Sequence, residues 1–358
     1  MKRSILLMIL MLFCCGLTVE AQRITLIRTP IQSGNISSWN DVSPDGRLVS
    51  GTFREASTSI TYPFVWSATE GFRYLTLQGD LTSDTSQSFH GRAHGMSGGG
   101  MVFGYRWLQG AYRWRPGQAL QMLRTPSGAD NATPHAASWD GSVVVGSDTR
   151  GRAVVWNASG VPRTIIQGSA RDVSADGRFV VGGIMGDDGL GAFLWTQETG
   201  ILRLPAWGGT AYGVSDDGQV VVGDGLVQGR AGAFRWTAEA GATIISPTGW
   251  DNSVARHVSA DGAIVVGAVS RGGSANAFRW TESGGFELLT DTYRHLLPAD
   301  MILEGVSSMS PDGRFLIGYA DRPGRTYVYL LDTMIPEPSG VLLLGLGLGL
   351  FWKRRKVK

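Results

Sequence analysis

Residues 214–223 read Val-Ser-Asp-Asp-Gly-Gln-Val-Val-Val-Gly, and residues 233–237 read Ala-Phe-Arg-Trp-Thr. An Asp-Gly pair between two apolar runs is a strong signal for a β-hairpin, because both residues tolerate a positive φ. The tryptophan-ended run predicts a third strand. A polar turn ending in Gly241 follows it, and the apolar run 242–245 predicts a fourth. The stretch therefore predicts a unit of four antiparallel strands.

Both elements recur along the chain in the same order. The hairpin element is found at residues 42–46, 173–177, 214–218, 258–262 and 309–313, with variants at 96–99 and 137–141. The second element ends at Trp66, Trp114, Trp156, Trp195, Trp236 and Trp280, and in a seventh copy, 326–329, tyrosine replaces tryptophan. The six tryptophans are 39 to 48 residues apart. A repeat of this length with four strands is typical of a β-propeller blade.

The strand count at the two ends predicts how the repeats close. Seven hairpins and seven third strands are present, but only six fourth strands follow them, and the missing one is supplied by residues 24–28. The fold class is therefore all-β: a seven-bladed β-propeller of four-stranded antiparallel blades, occupying residues 22–333, its ring closed by the N-terminal strand. An open β-solenoid, or a ring of six or eight blades, is the alternative.

The N-terminus has the pattern of a secretory signal peptide. A basic start, an apolar run at 4–17 and a small-residue cleavage pattern ending at Ala21 predict removal of residues 1–21, with Gln22 first in the mature chain. The two cysteines, Cys14 and Cys15, would leave with the signal. The mature chain would then have no disulfide, thiol nucleophile or cysteine metal site.

The formal charge of +2 comes from the ends of the chain. Without Lys2, Arg3 and the basic residues of 353–358, 25 basic residues remain, all arginine, and without Glu20 the body carries 29 acidic residues, a net charge of about −4. Nucleic-acid binding therefore loses its main electrostatic argument.

The two linked elements resemble a known family. Val-Ser-Ala-Asp-Gly-x-x-Val-Val-Gly paired with Ala-Phe-x-Trp-Thr is similar to the repeats of the HAF family of extracellular proteins, over most of residues 22–333. That resemblance implies no enzymatic activity. Ser-Pro-Asp-Gly at 43–46 and 310–313 is also similar to TolB-type propeller repeats, but the recurring Ala-Phe-x-Trp argues against that family.

The C-terminus resembles a second family. Pro336, Glu337 and Pro338 precede the apolar run 340–352, and five of the last six residues are basic. This arrangement, in segment 334–358, resembles the PEP-CTERM sorting signal, which implies an exosortase-type processing enzyme as partner. The apolar run spans about 20 Å as a helix, against a hydrocarbon core of about 30 Å, and contains glycines. It favours a transient inner-membrane anchor that is later processed.

The sequence contains no catalytic motif and predicts no cofactor and no metal site. His90 and His94 have the i, i+4 spacing of a helical metal site, but they lie among glycines with no third ligand, which favours structural histidines. The acidic pairs Asp187-Asp188 and Asp216-Asp217 are interpreted as turn residues, since calcium loops alternate their carboxylates. A carboxylate pair for glycoside hydrolysis depends on folded geometry and is left open.

The repeated tryptophans are predicted to be core, because a residue present in every repeat packs blade on blade. Trp107, Trp207 and Trp250 lie outside the repeat phase and are candidates for exposed aromatic contacts, with a small satellite cluster as the alternative.

A set of varied polar positions lies two residues before the apolar residue that opens each hairpin element: Asn40, His94, His135, Arg171, Tyr212, Arg256 and Ser307. On an innermost strand these side chains would line the central channel or its rim, and we expect the residues that flank them to be small or apolar. His94, His135, Arg171, Tyr212 and Arg256 are therefore candidate rim-binding residues. Solvated channel residues without a ligand are the alternative.

The sequence thus predicts an exported, non-enzymatic propeller of the cell surface or extracellular matrix. Its partners would be an exosortase, and exopolysaccharide or a surface protein, with no nucleic acid. Exopolysaccharide is suggested only by the PEP-CTERM resemblance. A propeller enzyme acting on extracellular glycans and a purely structural surface protein are the alternatives.

Overall fold

Strands make up nearly all of the regular structure of this protein. The computed structural model describes residues 22–27, 34–186, 189–323 and 325–334, apart from the side chains of 34–40, 186 and 325. The predicted signal segment 1–21, Asp187-Asp188 and the sorting segment from 335 onward lie outside the described residues. Residues Ile24–Leu331 form a compact unit of their own, and the following account concerns that unit.

The described strands form five sheets in which neighbours are hydrogen-bonded. The first sheet holds β2 (Gly34–Val42), β3 (Val49–Glu55), β4 (Thr61–Ser67), β5 (Gly71–Leu75) and β6 (Leu81–Thr82). The second holds β7 (Gly91–Met96), β8 (Val102–Arg106), β9 (Gly110–Arg115) and β10 (Gln118–Met122). The third, of ten strands, holds β11 (Ala132–Ala137), β12 (Val144–Asp148), β13 (Arg152–Trp156), β14 (Pro162–Val173), β15 (Val180–Gly186), β16 (Gly189–Thr196), β17 (Gly200–Val214), β18 (Val220–Val227), β19 (Arg230–Thr237) and β20 (Gly241–Ile244).

The remaining two sheets have four strands each. One holds β21 (Asn252–Val258), β22 (Ile264–Arg271), β23 (Ser274–Thr281) and β24 (Gly285–Leu288). The other holds β25 (Ile302–Met309), β26 (Phe315–Arg322), β27 (Arg325–Asp332) and, beside β27, the first strand β1 (Arg23–Ile27). The described helices are one α-helical turn, α1 (Leu289–Thr292), and the 3₁₀ turns Thr85–Gln87 and Arg294–Leu296.

Seven strands, each ending at a hairpin element, form the inside of the unit. They are β2, β7, β11, β14, β17, β21 and β25, each in contact with the next, and β25 contacts β2. The predicted all-β, propeller-like ring is confirmed. The predicted set of separate four-stranded sheets is not found, because β14 and β17 continue without a break from the outer edge of one group of strands into the inner strand of the next.

The Ser-x-Asp-Gly hairpins have a different turn from the one the sequence suggested. In the hairpin at 215–218 only Gly218 has a positive φ (70°), whereas the aspartate does not. The Asp217 carboxylate instead accepts hydrogen bonds from the Ser215 hydroxyl (2.6 Å) and the Gln219 N–H (2.9 Å). The buried Ser215 Oγ accepts the Val220 N–H. Aspartate is present for its carboxylate, which replaces the backbone partners that a tight turn lacks.

In several repeats a glycine within the second strand lies beneath an aromatic ring of the third strand. A Cβ at Gly223 would be 2.0 Å from the Thr210 carbonyl oxygen and 2.8 Å from the Phe234 ring. At Gly318 the corresponding ring is Tyr329, whose hydroxyl bonds the Gly305 carbonyl. Tyr329 therefore occupies the phenylalanine position, and the predicted equivalence of Tyr329 with the repeated tryptophans is wrong.

The core lies between neighbouring groups of strands. One cluster joins Val181 and Leu194 to Phe234 and Trp236 of the next group. Trp114 and Trp156 are fully buried, and their indole N–H groups donate to carbonyls of the preceding group. Trp66, Trp195 and Trp236 are also buried, so the prediction that the repeated tryptophans are core is confirmed for these positions.

Candidate functional site

A β-bulge occurs at every position in the varied polar set. In each inner strand the register with the following strand skips the residue at this position, and β2, β17 and β25 each have one further register shift. The residues skipped at this shared position, called here the bulge residues, are Asn40, His94, His135, Arg171, Tyr212, Arg256 and Ser307. A bulge leaves its residue unpaired and turns the side chain out of the normal pleat. The Asn40 side chain lies outside the described part.

The structure brings the five predicted rim residues together. His94, His135, Arg171, Tyr212 and Arg256 line one cavity of about 330 Å³, together with His257 and Ser307. This cavity is called the mouth cavity below. None of the described residues that line it is Asp or Glu. A second cavity of about 290 Å³ continues from the same side chains towards the hairpin loops.

The two bulge histidines are held by backbone carbonyls. His94 Nδ1 lies 2.9 Å from the Pro134 oxygen, and His135 Nδ1 lies 2.7 Å from the Ala170 oxygen. A carbonyl can only accept, so Nδ1 carries the proton in both rings. Burial lowers the pKa of His94, and it lowers that of His135 to about 4. Both rings are therefore neutral at physiological pH and keep an unprotonated Nε2 that can accept a hydrogen bond.

The cationic groups of the mouth cavity are arginines. Arg171 and Arg256 are both exposed. The Arg256 guanidinium lies over the Tyr212 ring, 5.6 Å from its centroid, which limits the freedom of both side chains. The mouth cavity thus combines two guanidinium donors, imidazole acceptors and one phenol. The arginines can bind an anionic group of a ligand. The imidazole and phenol groups can form hydrogen bonds with its hydroxyl groups.

Two carboxylates lie deeper in the channel, beside the second cavity. Asp41 accepts hydrogen bonds from the Ser308 hydroxyl and the Met96 N–H, and burial raises its pKa to about 6. Asp172 accepts from the Val214 N–H, and burial raises its pKa to about 7. The charge of Asp41 contributes to that rise. Burial thus favours the protonated form of both carboxylates.

Sequence reasoning missed these carboxylates because it treated the neighbours of the bulge residues as small or apolar. Residues immediately after a bulge include Asp41, Asp172, His257 and Ser308, which are all polar. The sequence does contain a signal for them, which is the polar side chain that directly follows several of the bulge residues. Burial lowers the pKa of His257 to about 4, and its Nε2 donates to the Ser307 carbonyl at 2.7 Å.

These side chains link each inner strand to the next. The links are Asp41 to the Met96 N–H, His94 to the Pro134 carbonyl, His135 to the Ala170 carbonyl, Asp172 to the Val214 N–H, Arg256 over Tyr212, His257 to the Ser307 carbonyl, and Ser308 to Asp41. The last link joins β25 to β2. The channel side chains therefore form a closed belt around the ring, in addition to lining it.

A second belt runs through the hairpin loops. Backbone N–H groups donate from Gly99 to the Trp139 carbonyl, from Trp139 to Ala175, from Ala175 to the Asp216 carboxylate, from Asp216 to Ala260, and from Ala260 to Pro311. Asp216 therefore has an inter-loop role, whereas its neighbour Asp217 is the turn residue that was predicted.

The other predicted positions have separate surroundings. The exposed His90 ring packs edge-on against Tyr62, whereas His94 faces the channel. Among the described residues, no group of three or more His, Cys, Asp or Glu is arranged to hold a metal ion. No described helix is long and apolar enough to cross a membrane. Trp107 and Trp207 are exposed, as proposed for aromatic contacts.

Comparison with known proteins identifies the C-terminal segment. Residues 335–356 match the PEP-CTERM protein-sorting motif, in agreement with the expectation for Pro336, Glu337 and Pro338. The motif implies an exported protein that is anchored in the membrane before an exosortase recognises and processes it. No curated protein matches the chain by sequence.

Solved structures similar to this chain support the fold. An oligogalacturonate lyase in complex with manganese has a TM-score of 0.55 at 13% identity, covering 89% of this chain and 97% of that one. An oligogalacturonate lyase from Vibrio parahaemolyticus has a TM-score of 0.54 at 13% identity, covering 89% and 98%. A putative TolB from Agrobacterium tumefaciens has a TM-score of 0.44 at 14% identity, covering 88% and 100%. The first two similarities indicate a propeller-type fold and nothing further.

Proposed function

We propose that this protein is a non-enzymatic interaction module of the extracellular matrix that binds acidic exopolysaccharide at the mouth cavity. The carrying observation is the convergence of Arg171, Arg256, Tyr212 and two neutral histidines on one cavity without a carboxylate. The arginines would bind uronate or other anionic groups, and the imidazole Nε2 atoms would accept hydrogen bonds from sugar hydroxyls. The sorting motif supports this role by implying export.

Delivery would follow from the two terminal signals. In this proposal the segment 1–21 is removed on export, with cleavage after Ala21, and the run 340–352 holds the chain transiently in the inner membrane. The basic residues behind it would remain on the cytoplasmic side. Processing near Pro336–Pro338 would then release the body to the cell surface or matrix.

We also propose that the ring has seven blades, closed by the N-terminal strand. In support, β14 pairs with β13 through 162–167 and with β15 through 168–173. Likewise, β17 pairs with β16 through 200–207 and with β18 through 207–214. Dividing both strands at these points gives seven units. A crystal structure with six or eight repeats around the axis would refute this count.

The binding proposal is tested by co-sedimentation of the full chain with polysaccharide purified from the matrix of the producing organism. We expect binding that falls on Arg171→Ala/Arg256→Ala and is weakened by salt, because the contact is electrostatic. Arg124→Ala is the matched control, since Arg124 is an exposed arginine outside the cavity. Absence of binding, or equal loss in the control, would overturn the proposal and leave a purely structural surface protein.

One observation favours an enzyme acting on extracellular glycans as the second candidate. Asp41 and Asp172, with pKa values of about 6 and 7, share the channel with histidines and Tyr212, and such groups can act in acid–base chemistry. Both carboxylates, however, already accept backbone N–H groups in the belt. The same co-sedimentation mixture is assayed for new reducing ends, and their appearance would replace the non-enzymatic proposal.

A further inference from the structure

A groove separate from the mouth cavity lies between two tryptophans. Its volume is about 620 Å³, within the range of small-molecule sites. One wall contains Trp207 of β17, and the other contains Trp250 in the loop between β20 and β21. The end of the β18–β19 hairpin lies between these two walls. By the path of the strands, the groove lies at the ends of the strands opposite the Ser-x-Asp-Gly loops.

Trp207 is an exposed aromatic group on a fixed backbone. Its side chain is 67% exposed, yet its backbone is paired with Gly191 on one side and Leu226 on the other. The register shifts directly after it, over the two glycines at 208–209. A rigid backbone that presents an indole to solvent loses little conformational entropy when a ligand stacks on the ring.

Trp250 faces the groove from a supported position. Its ring packs partly against the core cluster of β18 and β22. The Arg271 guanidinium lies 6.0 Å from the ring centroid. These contacts hold the indole in place, so that the second wall is also preformed.

The floor of the groove consists of glycines that lie above two serine hydroxyls. Gly225 and Gly232 are opposite each other in the β18–β19 hairpin. A Cβ at Gly232 would lie 2.9 Å from the Ser246 Oγ and 3.0 Å from the Ser253 Oγ. These two hydroxyls bond each other at 2.8 Å. Glycine therefore keeps the space open, and the hydroxyls below it disfavour a purely apolar occupant.

The remaining lining is partly apolar, with Leu226, Ala231 and Pro247, and partly polar. Its polar side chains are those of Asp224, Arg230, Thr248, Asp251 and Asn252. With two carboxylates against one arginine, the lining gives no net attraction for an anion, in contrast to the mouth cavity. The side chains supply both donors and acceptors, which suits a ligand that carries many hydroxyl groups.

We propose that this groove is a second binding site, specific for a neutral glycan. The weakly positive C–H faces of pyranose rings would stack on the negative faces of Trp207 and Trp250, and the polar lining would bond the ring hydroxyls. The proposal goes beyond the matrix-binding role assigned to the mouth cavity and does not depend on it, because residues and ligand charge differ.

The test uses the full chain and three neutral probes: cellohexaose, mannohexaose and maltohexaose. Binding is followed by tryptophan fluorescence and by saturation-transfer NMR. We expect at least one probe to bind, Trp207→Ala to weaken its binding at least tenfold, and Trp207→Phe to retain most of it. Trp207 is largely exposed, so circular dichroism is expected to show an intact fold in both variants.

Two controls separate the groove from other sites. Trp107→Ala removes another exposed tryptophan outside the groove and is expected to leave the affinity unchanged. Arg171→Ala/Arg256→Ala is expected to lower binding of acidic polysaccharide but not of the neutral probe. Failure of all three probes to bind in the millimolar range, or equal loss in Trp107→Ala and Trp207→Ala, would overturn the proposal.

Discussion

At the scale of single residues, the channel shows how a neutral histidine can link two neighbouring strands. The His257 ring donates through Nε2 to the Ser307 carbonyl in an environment that opposes its charged form. The ordinary pKa of histidine, about 6.5, applies to the unfolded chain. Because folding lowers this value to about 4, the unfolded chain binds the extra proton between the two, and stability is lost as the pH falls through this window.

We predict that His257→Gln reduces the acid sensitivity of the fold. Glutamine retains an N–H donor for the Ser307 carbonyl but does not titrate. Between about pH 7.5 and about pH 4.5 the variant should lose less unfolding free energy than the parent, by at most about 3 kcal/mol. The measurement is urea denaturation at both pH values.

Comparing the parent protein with His257→Gln measures the contribution of this one histidine to the acid sensitivity. The raised pKa values of Asp41 and Asp172 act in the opposite sense, since their contribution is present at low pH and lost as the pH rises through about 6 to 7. They are common to both proteins and therefore cancel. His90→Gln, at an exposed histidine away from the channel, serves as control. Equal acid sensitivity of parent and His257→Gln would contradict the prediction.

At the scale of strands, the pairing of glycine with an aromatic ring sets the distance between neighbouring strands. Gly223 lies between the Thr210 carbonyl oxygen and the Phe234 ring, and a methyl group there has no room. Gly191 is also in a strand, but a Cβ there would meet only the Ala206 oxygen at 3.9 Å. Close packing thus requires glycine at position 223, whereas the space around Gly191 would accept a methyl group.

We predict that Gly223→Ala destabilises the fold by about 1–3 kcal/mol, because overpacking forces the backbone apart. Gly191→Ala should be neutral or stabilise by up to about 1 kcal/mol, because alanine restricts the unfolded chain. Denaturation midpoints of the two variants measure the difference. Similar midpoints would show that the strands tolerate a side chain beneath the ring.

Sequence reasoning located the strands and the bulge residues well, because six of the seven repeats place them at one fixed offset from an Asp-Gly pair. It could not reveal the inter-strand links, since Asp41 and Met96 are 55 residues apart and meet only after neighbouring units pack. It missed the continuity of β14 and β17, because each strand contains glycine where its hydrogen-bond partner changes, at Gly168 and at Gly208–Gly209, and glycine in a sequence favours a break between two strands. Tyr329 was equated with the repeated tryptophans because both are large aromatic residues at the end of the run. Its position in the strand pairing is that of the repeated phenylalanine.

At the scale of the whole molecule, the ring depends on its first strand. Ile24 and Leu26 pack against the cluster of β25 and β26, and Ile27 belongs to the neighbouring cluster. Without β1, the edge of β27 would be unpaired and both clusters would be exposed.

We predict that deleting residues 22–28 lowers the melting temperature by at least ~5 °C, because apolar burial and strand pairing are both lost. Appending the same seven residues behind Met334 through a glycine-rich linker should restore most of the loss, since β27 then regains its neighbour. Thermal unfolding followed by circular dichroism measures both proteins. A permuted chain as unstable as the deletion would show that β1 acts other than by pairing with β27.

The prolines of the hairpin loops bear on how such a ring can assemble after export. Six successive loops are joined by five N–H donors, the last of which donates to Pro311. Pro311 and Pro44, on the two sides of the junction between β25 and β2, have no N–H to donate. An open ring therefore presents no orphaned donor at this junction. A chain that crosses a membrane before folding can join its ends last, and until then its loop edge offers little for another copy to bind.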